Sequence, residues 1–447
     1  MKYCIIFVEK HSPFYCSLIK NHLSSSHRDK NTPVKAMGML RIMEYAESKR
    51  HCGVIIDETC YRYFLQASAK AAVLPEQGPL ADQILNKLKQ RQIVPDGDCY
   101  GAAIRIWKNA ALNPLYGMTR EHNVTRTVEL LEELSTAHQR SALAMIRPTT
   151  EHFNDVLEAL SASDRAVSRD IAATLVDVME SAINEDSDSA LVDIRPNIDT
   201  YKWFMLVHSK SKRPDKIESA KQVLERVKAN LTTVAEDNAR LEDSLVGVHN
   251  AFVQVCASYQ AGSDERNSRM TGEEVLQNAL RAVEDLRTVY GLSPNSETYA
   301  NLLGVCKTQL EVGSKRSRIM EDIFQSCCAE ALVDESVLQA LKSTTSGEQY
   351  YELVVSKSDI VEGTRMVPED WTCNVGVNRI ITADGRRAKP LSVDGRYTIT
   401  KAMKEYKMRK LRSKANQRVL QGGRLKLDKK RIGKPIKIHL DKDKVVA

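Results

Sequence analysis

Positive charge is concentrated at the C-terminal end of this chain, where lysine and arginine side chains are spaced closely enough to bind phosphates together. Between Lys401 and Ala447 there are 17 lysines and arginines against 4 aspartates and glutamates, a balance of +13. The other 400 residues carry 48 of the 65 basic and 54 of the 58 acidic side chains, a balance of −6. The side chains that we expect to bind phosphate are Lys407, Arg409, Lys410, Arg412, Lys414, Arg418, Lys429, Lys430 and Arg431.

This basic run suits a polyanion, because a lysine or arginine that neutralises a phosphate releases a condensed counterion. Affinity for a single strand then falls by about 0.7 log units per neutralised phosphate for each tenfold rise in salt. A solvated tail, a targeting segment or a ribosome-contacting tail would carry the same charge. The density of the run and the scarcity of balancing acid favour binding to a polyanion.

Catalytic and metal-binding patterns are weak in the sequence. The ten cysteines include no CxxC spacing of the kind found in zinc sites, so we interpret them as free thiols in a reducing compartment. No P-loop, GxGxxG or nucleophile motif stands out, and the carboxylates of residues 345–400 are scattered. His152, His208 and His249 recur with the spacing of a repeat rather than as a metal site. We therefore expect no enzyme activity and no cofactor.

A six-residue pattern recurs along the chain and must position any binding surface. A proline lies five residues before an aromatic at Pro95–Tyr100, Pro148–Phe153, Pro196–Tyr201 and Pro294–Tyr299, with weaker copies at Ile56–Tyr61, Ser244–His249 and Val333–Leu338. The copies start 39 to 53 residues apart. Self-similarity at such a period predicts stacked repeats, which offer a long surface to an extended partner.

Each repeat is predicted to contain two amphipathic helices. In one unit Phe153, Val156, Leu157 and Leu160 form the apolar face of a first helix, because their spacing is i, i+3, i+4, i+7. Ile171, Leu175, Val178 and Met179 are predicted to form the matching face of the second helix. We expect the aromatics Tyr100, Phe153, Tyr201 and Tyr299 to pack in the core.

The pattern divides the chain into four parts. Residues 1–49 are an N-terminal segment that reads as a transit peptide or a truncated repeat, and residues 50–345 hold the helical repeats. Residues 346–397 are expected to form an irregular linker, and residues 398–447 a basic tail that is partly disordered until bound. No run of about 20 apolar residues exists, so we expect no membrane insertion.

The start of each repeat resembles that of pentatricopeptide repeats. That family's unit is a pair of antiparallel helices that opens after a proline–aspartate-like pair, with a threonine–tyrosine–asparagine-like start to the first helix. Pro294-Asn-Ser-Glu-Thr-Tyr299 and Pro196-Asn-Ile-Asp-Thr-Tyr201 match it well, while Pro148–Asn154 and Pro95–Tyr100 match in part. The resemblance covers about residues 50–345 and implies an all-α, right-handed superhelical solenoid.

The resemblance also implies a function, the binding of single-stranded RNA in mitochondria or plastids in support of RNA processing, stability or translation. An organellar ribosome or RNA-processing proteins would be further partners. In such arrays each repeat addresses one base through two or three side chains. The family has two main base-reading positions, one just after the aromatic and one just after the next proline. The first position holds Arg62, Asn154, Lys202 and Asn250, and the second holds Asp96, Asn197 and Asn295.

Only two of these pairs resemble familiar ones. Asn154 with Asn197, and Asn250 with Asn295, would each select a pyrimidine by the family's pattern. Gly101, Lys202, Leu245 and Ala300 depart from the pattern. The asparagines could instead make local hydrogen bonds at helix starts. A protein–protein scaffold is the alternative function, and the acidic balance of the repeats favours it.

Overall fold

The structure is a computed structural model. It describes residues 38, 41, 44–45, 58–70, 77–114, 119–141, 143–182, 194–230, 238–260, 270–361, 364–375, 379–382, 385–388 and 391–396. The nine phosphate-binding candidates of the tail lie outside these residues, as does nearly all of the segment 1–49.

Helices follow one another in pairs along the described chain. They are α1 (Glu58–Lys70), α2 (Gln77–Gln90), α3 (Gly97–Leu112), α4 (Arg120–Ser141), α5 (Thr150–Ser161), α6 (Ala166–Ser181), α7 (Ile198–Lys210), α8 (Lys216–Asn230), α9 (Asn238–Ala257), α10 (Gly272–Thr288), α11 (Ser296–Gln309), α12 (Ser314–Ala329) and α13 (Glu335–Thr344). The odd-numbered helices are the first helices of the repeats and the even-numbered ones are the second helices.

The first helices begin where the proline pattern places them. α3, α5, α7 and α11 each start two residues after the proline, and the residue between caps the helix in an extended conformation. A proline at this place stops the helix from extending further toward the N-terminus, and the side chain that follows can accept from the first free N–H groups. α9 starts at Asn238, six residues before the pattern at Ser244, because no proline stops the helix from extending there.

The first helices pack side by side into a continuous layer, which we call the first-helix row. Each second helix packs against the first helix of its own repeat and, from α2 to α10, against that of the next repeat, whereas successive second helices meet through side-chain ion pairs such as Lys89–Glu133 and Lys315–Glu273. The aromatics Tyr100, Phe153, Tyr201 and Tyr299 are all at most 5% exposed, which confirms their prediction as core residues. The predicted all-α solenoid of helix pairs is thus confirmed.

The predicted face of α6 is wrong in part. Ala172, Val176 and Met179 are buried, whereas Val178 is 43% exposed. Ile171 and Leu175 are only partly buried against the core. The buried stripe is rotated from the predicted one because Ala172, which is too small to register as a strong apolar signal, lies at its centre.

The described residues of the segment 346–397, which was predicted as an irregular linker, include short elements of secondary structure. Helix α14 (Gly347–Tyr350) continues into a π-helical turn at Tyr351–Val355, followed by two antiparallel hairpins, β1 (Asp359–Val361) with β2 (Thr364–Met366) and β3 (Arg379–Thr382) with β4 (Gly385–Ala388). Its residues pack back on the last repeat, since Val333 N donates to Trp371 O (2.8 Å) and Tyr350 Oη donates to Val393 O (2.5 Å). It covers the apolar end of the array, which stacked repeats otherwise leave open.

Candidate nucleic-acid interface

Three pairs of predicted base-reading residues are in direct contact at junctions between repeats. Arg62 Nη1 lies 2.7 Å from Asp96 Oδ2 between α1 and α3. Asn154 Nδ2 donates to Asn197 Oδ1 at 3.0 Å between α5 and α7, and Asn250 Nδ2 donates to Asn295 Oδ1 at 3.0 Å between α9 and α11. We call these the junction pairs. In each, one side chain comes from a first helix and the other caps the next first helix.

The cap fixes which way the second asparagine points. Asn197 Oδ1 accepts from the backbone N–H of Thr200 at 3.0 Å, and Thr200 Oγ1 donates to Asn154 Oδ1 at 2.7 Å. Since a backbone N–H requires an acceptor, the oxygen of the Asn197 amide must face the helix. Its Nδ2 group is therefore turned away from the cap.

The junction between α9 and α11 has the same design. Thr298 N donates to Asn295 Oδ1 at 3.0 Å, and Thr298 Oγ1 donates to Asn250 Oδ1 at 2.6 Å. Asn250 is 1% exposed and also donates to Glu297 Oε2 at 3.3 Å. Both donors of its amide are used, so Asn250 has none left for a base.

The side-chain amide groups of the capping asparagines donate no hydrogen bond within the described structure. Neither Asn197 Nδ2 nor Asn295 Nδ2 has a partner among the residues that the structure describes, and Asn295 is exposed while Asn197 is half-buried. Each amide group offers donors that fit the oxygen and nitrogen acceptors of a base edge. The sequence pattern identifies these residues but gives the main role to their partners, the half-buried Asn154 and the buried Asn250.

Arg62 and Asp96 satisfy each other. Asp96 is 5% exposed, and its Oδ1 accepts from Cys99 N at 2.8 Å as the cap of α3. Burial lowers the pKa of Arg62, but its hydrogen bond with Asp96 and the charge of that carboxylate outweigh this and raise the pKa above its ordinary value. This guanidinium is therefore held at the junction rather than presented to a ligand.

The other predicted positions do not form such pairs in the described structure. A Cβ on Gly101 would lie 2.5 Å from Nε2 of His152, so the imidazole takes the place of a side chain there. Lys202 has Leu245, which is 4% exposed, as its sequence partner. Ala300 has no polar side chain, although Asp334 still caps α13 by accepting from Val337 N at 3.0 Å.

Opposite charges lie along the two edges of the first-helix row. Five of the described first helices have a carboxylate in their first turn, and we call this set the acidic edge: Asp98, Glu151, Asp199, Glu297 and Glu335. Four first helices of the described chain have a lysine in their last turn, and we call this set the basic edge: Lys70, Lys210, Lys307 and Lys342. This arrangement complements the dipoles of the helices. It also creates an attractive edge and a repulsive edge for a phosphate backbone, and the junction pairs lie beside the repulsive one.

Between the edges, charged side chains of α3 and α5 are paired. Lys108 Nζ lies 2.7 Å from Asp155 Oδ1 and 2.7 Å from Glu158 Oε2, and Arg105 Nε lies 3.0 Å from Asp155 Oδ2. The two carboxylates keep the pKa of Lys108 above its ordinary value although burial lowers it. These cations hold neighbouring repeats together, which limits how much they can attract an anion.

Trp203 was not identified from the sequence as a binding residue. It is partly exposed on α7, and Lys202 Nζ lies 4.8 Å from the centre of its ring. Tyr63 occupies the same place in α1, with Arg62 Cζ 5.9 Å from its ring. The signal in the sequence is an aromatic–cation–aromatic triplet, Tyr61-Arg-Tyr63 and Tyr201-Lys-Trp203, at the start of two first helices.

The three histidines are separate core residues of different repeats. His152 Nδ1 accepts from Thr149 N at 3.1 Å, and His249 Nδ1 lies 2.9 Å from Leu245 O. Burial lowers the pKa of all three, in His208 to about 4. Within the described ranges, no three His, Cys, Asp or Glu side chains are grouped as metal ligands.

A cleft of about 780 Å³ lies on the second-helix side, between α2 and α4. Its walls include Val94, Pro95 and Ala137 together with the ion pair of Lys89 and Glu133, whose Nζ and Oε2 are 2.6 Å apart. It is separate from the junction pairs. None of the described helices combines the length and the apolar character that crossing a membrane requires.

The packing of paired helices defines the class of the molecule as a helical-repeat protein, an α-solenoid. No protein-family model and no curated protein matches its sequence. Ten chains of solved structures match the chain. One is the pentatricopeptide repeat protein PPR10 in complex with an 18-nt psaJ RNA element, which is 14% identical with a TM-score of 0.35. The match covers 77% of this chain and 47% of that protein.

Proposed function

We propose that this protein binds single-stranded RNA along the first-helix row, with partial selectivity for sequence. The observation that carries the proposal is the outward-facing amide of Asn197 and of Asn295, each fixed at an equivalent place by the cap that it makes. Preorganised donors at repeating positions are what reading of one base by one repeat requires. Two such amides in the described repeats select few bases, so the reading is semi-specific.

The basic edge would attract the RNA to the first-helix row without holding the phosphates of the bases that are read. Lys70, Lys210 and Lys307 lie along it, at the opposite ends of the first helices from the junction pairs. A first helix of 13 residues, the length of α7, is about 20 Å long, which is farther than a base reaches from its own phosphate, so the strand itself would lie nearer the junction pairs. The basic tail adds a salt-sensitive, sequence-independent contribution to binding.

The cellular role belongs to the same proposal. Binding of this kind would support RNA processing, stability or translation in mitochondria or plastids, with the organellar ribosome or RNA-processing proteins as further partners. It requires no chemical step by the protein, so we propose a binding protein rather than an enzyme.

A protein–protein scaffold is the second candidate. The observation that favours it is the acidic edge beside the junction pairs, together with the full use of the donors of Asn250. An RNA groove is usually lined with unpaired positive charge, and here the central cations are paired with carboxylates.

Binding of labelled oligo(U) and oligo(A) RNA across a salt series tests the proposal. The full chain is compared with a variant that ends at Thr400 and with the double variant Asn197→Asp, Asn295→Asp. Aspartate keeps the cap oxygen but removes both donors, so we expect the helices to persist and the preference for oligo(U) over oligo(A) to shrink. The shortened variant should bind with a smaller salt slope.

Two outcomes would contradict this function. If the variant ending at Thr400 binds no RNA, the tail alone is responsible and the repeats are not a reader. If the double variant keeps an unchanged preference, the amides of the caps do not contact bases. Crosslinking in cells, followed by sequencing of the bound RNA, would then decide between an RNA reader and the protein scaffold.

A further inference from the structure

Trp203 occupies the middle of the exposed side of α7. The helical turn places Asp199, Trp203, Leu206 and Lys210 on this side, and each is partly or fully exposed. Tyr201 and Phe204 lie on the opposite side and are buried, at 1% and 4% exposed. A tryptophan in this position adds aromatic surface to the face on which we place the RNA.

Lys202 covers this ring without pairing with a carboxylate of the described residues. Its Nζ lies 4.8 Å from the centre of the Trp203 ring. Its stem runs along α9 at Gly247, where a Cβ would lie only 3.3 Å from Lys202 Cδ. Glycine at this position thus provides the space in which the lysine stem lies. Lys202 forms no ion pair with any residue that the structure describes, so only the ring contact and packing hold it.

The indole itself has a free polar edge. Within the described part of the chain its N–H has no hydrogen-bond partner, and it is not among the buried polar atoms that lack one, so the edge faces solvent. A flat apolar ring with a solvated edge, and above it a cation that no described carboxylate holds, offers two of the contacts that an unpaired nucleotide needs. The ring can stack on a base, and the ammonium can pair with a phosphate.

We propose that Trp203 is a stacking site for one nucleobase of the bound RNA, with Lys202 moving from the ring to a neighbouring phosphate. This inference rests on the proposed function and adds a contact that reads no sequence. Stacking of a base on an aromatic side chain is stronger than an exposed cation–aromatic contact, so a base displaces the ammonium. Every base has a π-face, so the site tolerates any base.

The equivalent site in α1 shows why Trp203 is the stronger candidate. Tyr63 has Arg62 at 5.9 Å from its ring, in the place that Lys202 takes beside Trp203. Arg62 is, however, bound to Asp96 at 2.7 Å and cannot leave without exposing a nearly buried carboxylate. Lys202 has no such anchor, so the ring of Trp203 can be uncovered.

Binding of labelled oligo(U) to the full chain, beside an abasic ribose-phosphate oligomer of the same length, tests the stacking site. The variants are Trp203→Ala and Trp203→Phe, with Val178→Ala as the matched control, because Val178 is an exposed apolar residue of the second helix α6. Measurements at low and high salt separate stacking from the electrostatic contribution of the tail. Far-UV circular dichroism confirms that each variant is folded.

We expect Trp203→Ala to weaken oligo(U) binding about tenfold, Trp203→Phe to keep most of the affinity, and Val178→Ala to change nothing. The abasic oligomer should bind all four proteins alike. Oligo(U) should also quench the tryptophan fluorescence of the wild type but not that of Trp203→Phe.

The stacking inference is overturned if Trp203→Ala binds oligo(U) like the wild type, or if it loses as much affinity for the abasic oligomer. Both results leave the proposed function standing. If the wild type binds neither oligomer, the proposed function fails, and the stacking site fails with it.

Discussion

Asn154 and Asn250 hold the same position in their repeats but differ in the hydrogen-bonding capacity that they have left. Asn250 is buried and donates twice, to Asn295 and to Glu297, whereas Asn154 is half-buried and donates once, to Asn197. A buried amide with every donor used acts mainly on stability, and a half-used one at the surface can still contact a ligand. The same residue type therefore differs in its unused hydrogen-bonding capacity along this array: Asn250 has no donor left, and Asn154 keeps one.

We expect Asn250→Ala to lower the free energy of unfolding by about 1–3 kcal/mol, because it removes the buried amide that accepts from Thr298 Oγ1 and donates to Asn295 Oδ1. Asn154→Ala should cost less, since Asn154 is half-buried and water can replace part of its contacts. Urea denaturation measures both, with Gln254→Ala, an exposed residue of α9, as the control. An equal loss in all three variants would contradict this account of the junction.

His208 should make the protein sensitive to acid. Both of its ring nitrogens are buried without a partner in the described structure, and burial first, then the charge of Arg169, lowers its pKa to about 4. Arg226 acts in the same direction and Asp215 opposes it. The unfolded chain, with an ordinary pKa of 6.5, thus takes up the proton first.

The resulting stability is complete above pH 6.5 and is lost as the pH falls toward 4, by about 3 kcal/mol over the whole window. Urea denaturation at several pH values should show this loss in the wild type and a smaller one in His208→Leu, which needs no hydrogen-bond partner. His152 and His249, whose pKa values are also lowered by burial, contribute what remains. A loss of the same size in His208→Leu would rule out His208 as the cause.

At the scale of the helix, the starts were predictable from the sequence because the responsible residues are adjacent in the chain. Proline and the capping residue act within one turn, and α3, α5, α7 and α11 begin accordingly. The exposure of Val178 and the packing of the described residues after Thr345 on the last repeat were not predictable in this way. They depend on packing between repeats and on contacts such as that of Val333 with Trp371, which join distant parts of the chain.

The candidate site, like the helices, was predictable from the sequence only in part. The resemblance to pentatricopeptide repeats indicated the pairs Asn154–Asn197 and Asn250–Asn295 from their spacing. Which atom of each amide is free could not be read from the sequence, because it depends on the cap bonds to Thr200 and Thr298. Trp203 was missed because its exposure depends on how α7 packs against α9.

The start of α10 lies very close to the end of α11. A Cβ on Gly272 would lie 1.8 Å from the backbone oxygen of Gln309 at the end of α11. We therefore expect Gly272→Ala to lower the free energy of unfolding by about 1–3 kcal/mol, since the backbone of one helix must shift. Thermal and urea denaturation measure this.

Gly304→Ala is the matched variant in α11. Its nearest neighbour would be Ala257 Cβ at an ordinary 3.9 Å, so alanine should stabilise the helix by about 0.5–1 kcal/mol. If Gly272→Ala were neutral while Gly304→Ala behaved as expected, the close approach of α10 to α11 would be contradicted.

For the whole molecule, the position of the charges matters more than their sum. The net charge is +7, but the first-helix row separates an acidic edge from a basic edge, and all of the positive excess lies beyond Thr400. We expect the variant that ends at Thr400 to unfold at the same urea concentration as the full chain. The reason is that the core is made up of the described repeats and of the described residues after Thr345 that pack on the last repeat. A clear loss of stability would show that the tail packs on the solenoid.

Photocrosslinking tests directly whether RNA binds along the first-helix row. The full chain is crosslinked to single-stranded RNA that contains 4-thiouridine, and the attached peptides are identified by mass spectrometry. Crosslinks on peptides of the first helices, above all those that contain Asn197, Trp203 and Asn295, are the result that RNA binding along the first-helix row predicts. Crosslinks confined to residues 398–447 or to the second helices would contradict it.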